Sequence, residues 1–167
     1  GAFYYSGVAG TVANNLTLNG GTLSAGTATQ IYSGTVNVSG NSSINLRDGN
    51  SAVITTAAQS ITLTGVLSGS GRLTVDSVNT LTGGNAETGT LTINNLANTW
   101  NGELAFERGT VDFTSSPATS ANAGHVGALT FNSLGRVIYR NINGQTLNRT
   151  GALTFAAGSI GEVLIDN

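Results

Sequence analysis

GVLSGSGRLTVDSVNTLTGGNAETGTLTINNLANTWNGELAFERGTVDF, residues 65–113, repeats one short motif four times. In each copy a glycine opens a segment of alternating character: GRLTV, GTLTI, GELAF and GTVDF. Alternate side chains in these segments are large and apolar, and the residues between them are small or polar. A period of two is typical of a strand that buries one face. The stretch therefore predicts short strands that are joined at glycine-rich corners.

Outside this stretch the same kind of short apolar segment recurs between Asn-Gly, Gly-Gly and Asp-Gly turn signals. Apolar residues in similar settings recur at intervals of about one coil, and we expect them to form one stacked column: Leu18, Val38, Ile54, Val75, Ile93, Phe113, Phe131 and Phe155. Repeats that stack in this way bury a continuous core. The predicted fold is all-β, a single-stranded parallel β-helix (β-solenoid) of about seven to eight coils.

An internal duplication near the carboxyl end gives the most specific register prediction. GALTF begins at Gly127 and again at Gly151. Aligning the copies sets RVIYR beside EVLID, with Val137/Val163 and Tyr139/Ile165 inward and Arg136/Glu162 and Arg140/Asp166 outward. The shared motif also predicts a core ladder of Ile93, Phe113, Phe131 and Phe155 on successive coils.

Composition limits the classes of function. The chain has 167 residues, of which 39% are hydrophobic, enough for one folded domain over residues 1–167. Only 8% are charged, lysine is absent and the net charge is −2, so the chain has no basic patch for phosphates and nucleic acid is not an expected partner.

The sequence offers little for metal or membrane binding. Without cysteine there is neither a disulfide nor a thiolate site, and a lone histidine, His125, rules out a His-based metal cluster within one chain. No apolar run approaches the ~20 residues of a membrane helix. We expect no cofactor, no metal and no membrane span in this segment.

Residues 114–124, TSSPATSANAG, contain the chain's one proline and have no apolar period. Such a segment favours a loop that leaves the coil. If the protein binds a specific ligand such as a glycan, this loop is the expected place.

Several elements of residues 65–113 carry a resemblance to a known repeat: Leu67, Gly69, Gly71 and Leu73, then GTLTI, then Asn98, Thr99, Trp100 and Gly102, then the final GTV. This stretch resembles the autotransporter-associated β-strand repeat of passenger domains in bacterial surface and secreted proteins. The resemblance implies a right-handed parallel β-helix at the cell surface. It implies no catalytic residues, because that repeat is a scaffold element.

Two features leave alternatives open. Glu103, Glu107 and Asp112 could converge as the acids of a polysaccharide-active enzyme, or they could form surface ion pairs with a neighbour such as Arg108. Trp100, in NTWNG, could stack on a sugar or pack over a coil corner.

The leading hypothesis is a non-enzymatic, extracellular structural β-solenoid on the bacterial cell surface, as a fibre subunit or as a segment of a long surface protein. One alternative is an adhesin that binds a glycan or a host protein through its loops. The other is a polysaccharide-active β-helix enzyme.

The ends of the chain predict self-association. Neither end has a polar cap or an amphipathic helix. An open parallel sheet offers unpaired backbone groups to another strand, and a head-to-tail contact propagates as a filament. We expect one end to contact the other end of a second copy through these residues: Phe3, Tyr4, Tyr5 and Val8 at one end, and Val163, Leu164 and Ile165 at the other.

Overall fold

The computed structural model describes residues 2–4, 9–25, 29–46, 59–77, 89–95, 97–114, 127–140 and 150–166, with backbone alone for residues 2–4. These residues form fifteen strands, and no helix occurs among them. The early strands span three or four residues each: β1 (Ala2–Tyr4), β2 (Gly10–Val12), β3 (Leu16–Leu18), β4 (Thr22–Ser24), β5 (Gln30–Tyr32), β6 (Val36–Val38), β7 (Ser42–Asn45), β8 (Ser60–Leu63), β9 (Leu67–Gly69), β10 (Leu73–Asp76) and β11 (Thr90–Ile93). Four strands follow: β12 (Leu104–Phe113), β13 (Leu129–Arg140), β14 (Leu153–Phe155) and β15 (Ile160–Asp166).

Every strand pair is parallel, and the larger sheet curls into a half-barrel. The strand order in that sheet is β1-β4-β7-β10-β12-β11-β8-β5-β2, with β13 beside β12 and both β14 and β15 beside β13. A smaller sheet has the order β3-β6-β9. The all-β, parallel part of the predicted fold is confirmed. Continuous winding as a β-solenoid of seven to eight coils stays a prediction.

Residues that face each other across neighbouring strands form continuous columns. The first column runs through Phe3, Leu23, Ile44, Val75, Phe106, Phe131 and Phe155. Successive members are 20, 21, 31, 31, 25 and 24 residues apart in the sequence. The second column runs through Val12, Tyr32, Leu63, Ile93, Phe113, Tyr139 and Ile165.

The predicted ladder of four residues is therefore wrong in its membership. Ile93 and Phe113 are in the second column, whereas Phe131 and Phe155 are in the first. The single column of eight is wrong for the same reason, since its first two members, Leu18 and Val38, pair in the smaller sheet and Val75 is in the first column. Its member at position 54 lies outside the described residues. The sequence interval between members of different columns is similar to the interval between neighbouring members of one column. Sequence intervals alone therefore do not distinguish the two columns.

Both sheets contribute to one core. The hydrophobic cluster contains members of both columns and also Val36, Val38 and Leu67 from the smaller sheet. Aromatic rings stack within each column, at 4.9 Å between the centroids of Phe106 and Phe131 and 5.2 Å between those of Phe113 and Tyr139. Stacks with such spacing add to the free energy gained from burying the rings.

Strand β12 has a bulge-like irregularity between its two halves, here called the bend, and Gly109 directly after it has a φ of 127°. Its register with β13 shifts between Phe106 and Arg108. Gly135 of β13 follows this bend, and a Cβ atom there would lie 2.6 Å from Cβ of Phe106 and 2.9 Å from a ring atom of Phe131. Only a residue without a side chain leaves room for the ring stack. The bend divides the long strands into two segments, which pair with different strands of the sheet.

Candidate self-association edge

Strands β14 and β15 form one edge of the larger sheet. Each pairs with β13, and neither has a second partner strand among the described residues. The unpaired N–H and C=O groups of such an edge are a template for a further strand.

The edge is also apolar. Among the described residues seven large hydrophobic side chains are exposed, and six of them lie on these two strands: Leu153, Phe155, Ile160, Val163, Leu164 and Ile165, with exposed fractions of 37–69%. The partners of Leu153, Phe155 and Val163 one strand inward, Leu129, Phe131 and Val137, are fully buried. For these three residues and for Ile165 the exposure therefore comes from the position at the edge, because their side chains continue the buried columns.

The predicted pairing of the two GALTF segments and the strands after them is confirmed. Phe131 lies beside Phe155, and their ring centroids are 5.1 Å apart. Val137 lies beside Val163 and Tyr139 beside Ile165, as expected for the inward positions.

The charged residues of β13 and β15 stack with alternating sign. Arg136 forms an ion pair with Glu162, and Arg140 forms one with Asp166 at 2.6 Å. Arg140 also donates from Nε to both carboxylate oxygens of Asp112, at 2.9 and 3.0 Å. The hydrogen bond to Asp112 is the main cause of a raised pKa of the Arg140 guanidinium, with a further contribution from the charge of Asp166.

The opposite end of the same sheet is formed by β1 and β2. Among the described residues β1 pairs with β4 alone and β2 with β5 alone. Two of the residues predicted for self-association, Phe3 and Tyr4, lie in β1, where the backbone alone is described. Tyr5 and Val8 lie outside the described residues. By backbone register Phe3 belongs to the column of Phe155.

At the carboxyl end the sequence identified half of the exposed patch. Val163, Leu164 and Ile165 are exposed as expected. Leu153, Phe155 and Ile160 were not included in the predicted contact. The available signal was the second GALTF copy, since the last member of a stack has no neighbour on one side.

The candidate acids each bond to a different partner. Glu103 accepts a hydrogen bond from the Thr130 hydroxyl at 2.6 Å and forms a long ion pair of 3.5 Å with Arg72, not with Arg108. Glu107 accepts from Asn132 at 2.6 Å. Together with the Arg140–Asp112 pair, these bonds link neighbouring strands, in the manner of cross-strand ladder pairs.

Trp100 packs over a corner, one of the two predicted alternatives. It is 2% exposed, and its Nε1 donates a hydrogen bond of 3.0 Å to the backbone oxygen of Gly71. In this position the indole ring is part of the core and is not accessible for stacking on a sugar.

Within the described ranges no three His, Cys, Asp or Glu side chains lie close enough together to hold a metal ion. The same part of the chain has no helix that is long and apolar enough to span a membrane. His125 and residues 115–124 of the predicted loop lie outside the described residues.

No family model, curated protein or solved structure matches the chain.

Proposed function

We propose that the chain is a non-enzymatic structural β-solenoid that associates end to end with copies of itself. The observation that carries this proposal is the edge formed by β14 and β15, which is apolar and whose strands have no second partner strand among the described residues. Its place in the cell is the surface of a bacterium or the extracellular space, in a fibre or within a long surface protein.

The order of the strands supports continuous winding. Strands β1, β4, β7 and β10 pair in one series, β2, β5, β8 and β11 in a second, and β3, β6 and β9 in a third. The chain visits the three series in the same cycle each time, always in parallel. A path of this kind, with one core shared between the sheets, is typical of a solenoid whose coils stack on their neighbours.

A second copy of the chain fits the open edge by register. If β1 of the second copy lay beside β14 and its β2 beside β15, Phe3 would follow Phe155 in the first column and Val12 would follow Ile165 in the second. Phe3 and Val12 of the incoming copy are 9 residues apart in the sequence, and Phe155 and Ile165 of the receiving edge are 10 residues apart. Both columns would continue with apolar residues. This register extends the predicted contact to Val12 of β2.

Charge favours this head-to-tail contact over a symmetric one. No charged residue precedes Arg47, so the incoming end brings no like charge to the edge. Two β15 strands could instead pair antiparallel with Val163 and Ile165 on the inner face. This contact would bring Glu162 and Asp166 of one copy near the acidic residues of the other copy. Like charges across a strand pair are destabilising. A head-to-tail contact leaves a new free edge, and therefore grows into a filament.

The proposed surface location rests on composition and on the resemblance of residues 65–113 to an autotransporter-associated repeat. Only 8% of the residues are charged, and Gly, Ser, Thr and Asn take up much of the remainder. Hydroxyl and amide groups are then the source of solubility.

The proposal is tested by sedimentation velocity and electron microscopy of the wild type and of a double variant, Val163→Lys with Ile165→Lys. We expect concentration-dependent filaments for the wild type. The variant is expected to associate at least roughly 100-fold more weakly, because two ammonium groups would have to lose water in the contact.

The matched control is Ile31→Lys. Ile31 has the same exposed fraction as Val163, 37%, but its strand β5 is paired on both sides. This control should assemble like the wild type. A wild type that stays monomeric at every concentration would overturn self-association. The chain would then be a segment of a longer protein, another part of which covers the edge. Equal loss of assembly in the control would overturn the assigned edge.

A further inference from the structure

A cleft lies on the molecular surface where the long strands bend. Its volume is about 290 Å³, and Gly109 and Gly135, which face each other on β12 and β13, are among the residues that line it. The lining residues before the glycine position are aliphatic and those after it are polar, and we call these two groups the walls of the cleft. This cleft is separate from the inward-facing columns that carry the proposed end-to-end contact.

One wall is polar and consists of three residues in register on neighbouring strands, Thr110, Arg136 and Glu162. Nε of Arg136 donates to Oε2 of Glu162. The two terminal guanidinium nitrogens and Oε1 of Glu162 form no hydrogen bond with the described residues. Both side chains are about half exposed, at 50% and 48%. Within the described part of the chain, the pair therefore presents donors and an acceptor without partners next to one another.

The other wall is aliphatic. Leu134 and Ile160 face each other on β13 and β15, directly before the glycine position. Ile160 is 69% exposed, the largest exposed fraction among the large apolar side chains that the structure describes. An aliphatic surface next to an ion pair suits a ligand that is apolar on one face and polar at its edge.

We infer that this cleft binds a neutral sugar ring of a glycan. Each hydroxyl group of a vicinal diol both donates and accepts hydrogen bonds, so two neighbouring hydroxyls can accept from the guanidinium of Arg136 and donate to the carboxylate of Glu162. The C–H face of the pyranose ring packs on Ile160 and Leu134 and removes apolar surface from water. The hydroxyl of Thr110 is a third polar contact on the same wall.

Size and charge favour this class of ligand over others. Pockets for drug-sized ligands are commonly about 300–1,000 Å³. At 290 Å³ the cleft is just below that range, and suits one ring or a ring with part of the next. Because Arg136 and Glu162 already neutralise each other, the wall has no net charge to attract an anionic ligand such as a phosphate.

The test is saturation-transfer NMR followed by titration of the wild type with cellotriose, maltotriose, mannotriose and N-acetylglucosamine trimer. At least one of these is expected to bind with a Kd on the order of 1 mM, an ordinary affinity for a small open site. Arg136→Gln and Glu162→Gln should each weaken binding roughly tenfold, about 1.4 kcal/mol. Ile160→Ala should weaken it by a smaller factor.

Arg140→Gln is the matched control. Arg140 lies on the same strand as Arg136 and forms the same kind of ion pair with β15, but it does not line the cleft. The control should bind as the wild type does, with the fold of every variant checked by circular dichroism. Failure of all four sugars to bind would overturn the inference, as would binding that Arg136→Gln and Glu162→Gln leave unchanged.

The cleft shares the edge strand β15 with the proposed self-association contact, but it does not include the inward positions Val163 and Ile165. The double variant Val163→Lys with Ile165→Lys alters inward positions outside the cleft, and it should retain sugar binding when assembly is lost. Loss of either property alone therefore identifies which of the two proposals fails.

Discussion

The strands up to β11 and the strands from β12 onward build the same sheet in different ways. Before β12, separate strands of three or four residues supply the two halves of the sheet. Strands β12 and β13, of ten and twelve residues, extend through the bend and each supply both halves at once, and β14 and β15 then supply the halves separately again. The backbone register is continuous across this change, since β12 pairs with β10 on one side of the bend and with β11 on the other.

The interior changes at the same place. In the first column Leu23, Ile44 and Val75 give way to Phe106 and Phe131. In the second column Ile93 is followed by Phe113 and Tyr139. Both columns change from mainly aliphatic to aromatic at β12. The comparison teaches that equivalent inward positions can hold aliphatic or aromatic side chains while the strands stay paired in parallel.

The largest expected effect is loss of the central ring in the aromatic part. Phe131 is fully buried and stacks on Phe106 and Phe155, with ring centroids 4.9 and 5.1 Å away. Phe131→Ala should lower the free energy of unfolding by about 4 kcal/mol, the usual cost of emptying such a site. Urea titration measures this change.

Two controls in the same column define the comparison. Phe155→Ala, at the exposed edge, should cost only about 1 kcal/mol, because half of that ring is already in water. Val75→Ala, in the aliphatic part, should cost about 2 kcal/mol because fewer buried carbon atoms are lost. Equal losses for Phe131→Ala and Val75→Ala would argue against any energetic difference between the two parts.

The next effect concerns the glycine that makes the aromatic part possible. Gly135→Ala places a Cβ atom 2.6 Å from Cβ of Phe106, which requires the backbone or the ring stack to move. We expect a loss of about 2 kcal/mol in the free energy of unfolding, as for other overpacked cores. The temperature of unfolding, measured by calorimetry, checks it.

Gly158→Ala is the comparison for Gly135→Ala. Gly158 has a φ of 78°, and a Cβ there would have no neighbour within 4 Å. Its cost should be about 1 kcal/mol, from backbone strain alone. If Gly158→Ala proved the more harmful of the two, contact with the ring stack would not be the reason for glycine at position 135.

The sequence pattern predicted the orientation of the side chains better than the pairing of the strands. Alternation of apolar residues reports which side chains face inward, and it correctly predicted strands at Leu73, Leu91 and Leu104. It does not report which strands are neighbours. The interval between partners varies from 20 to 31 residues, because corner segments of different length separate strands that pair in the same register.

The GALTF duplication supplied the missing information at one place. Two identical motifs of five residues align in only one register. The alignment therefore paired Phe131 with Phe155 correctly, and then Arg136 with Glu162. The cleft was not predictable in this way. It depends on the bend between Phe106 and Arg108, where the strand register shifts. No repeated sequence motif marks the position of this shift.

A smaller effect is expected in the earlier part, where the core retains a polar atom. Tyr32 is fully buried, and its hydroxyl group has no hydrogen-bond partner among the described residues. Tyr32→Phe removes this unpaired group and should raise the free energy of unfolding by about 1 kcal/mol. A loss of stability instead would indicate that the hydroxyl group has a partner such as buried water.

The same residue gives a pH dependence with a defined sign. Burial raises the pKa of Tyr32 above its ordinary value of 10.0. Above that pH the unfolded chain loses the phenolic proton while the folded chain retains it, so stability falls as the pH rises. Below pH 10 the contribution of Tyr32 is constant. In Tyr32→Phe the alkaline loss should be smaller than in the wild type, as measured by urea titration on both sides of this pH.

The smallest expected effect is removal of a charge from the ladder of the later part. Arg136 and Glu162 are each about half exposed, and exposed ion pairs contribute little because water and salt screen them. Arg136→Gln should therefore lower the free energy of unfolding by at most about 0.5 kcal/mol, and added salt should reduce the difference further. Urea titration at low and high ionic strength measures both quantities. A larger, salt-independent loss would mean that Arg136 holds the bend together through packing, and any weakening of sugar binding in this variant would then reflect a changed fold. A small, salt-sensitive loss leaves the stacked rings as the dominant stabilising feature of the later strands, and leaves the Arg136–Glu162 pair free to act as a recognition surface.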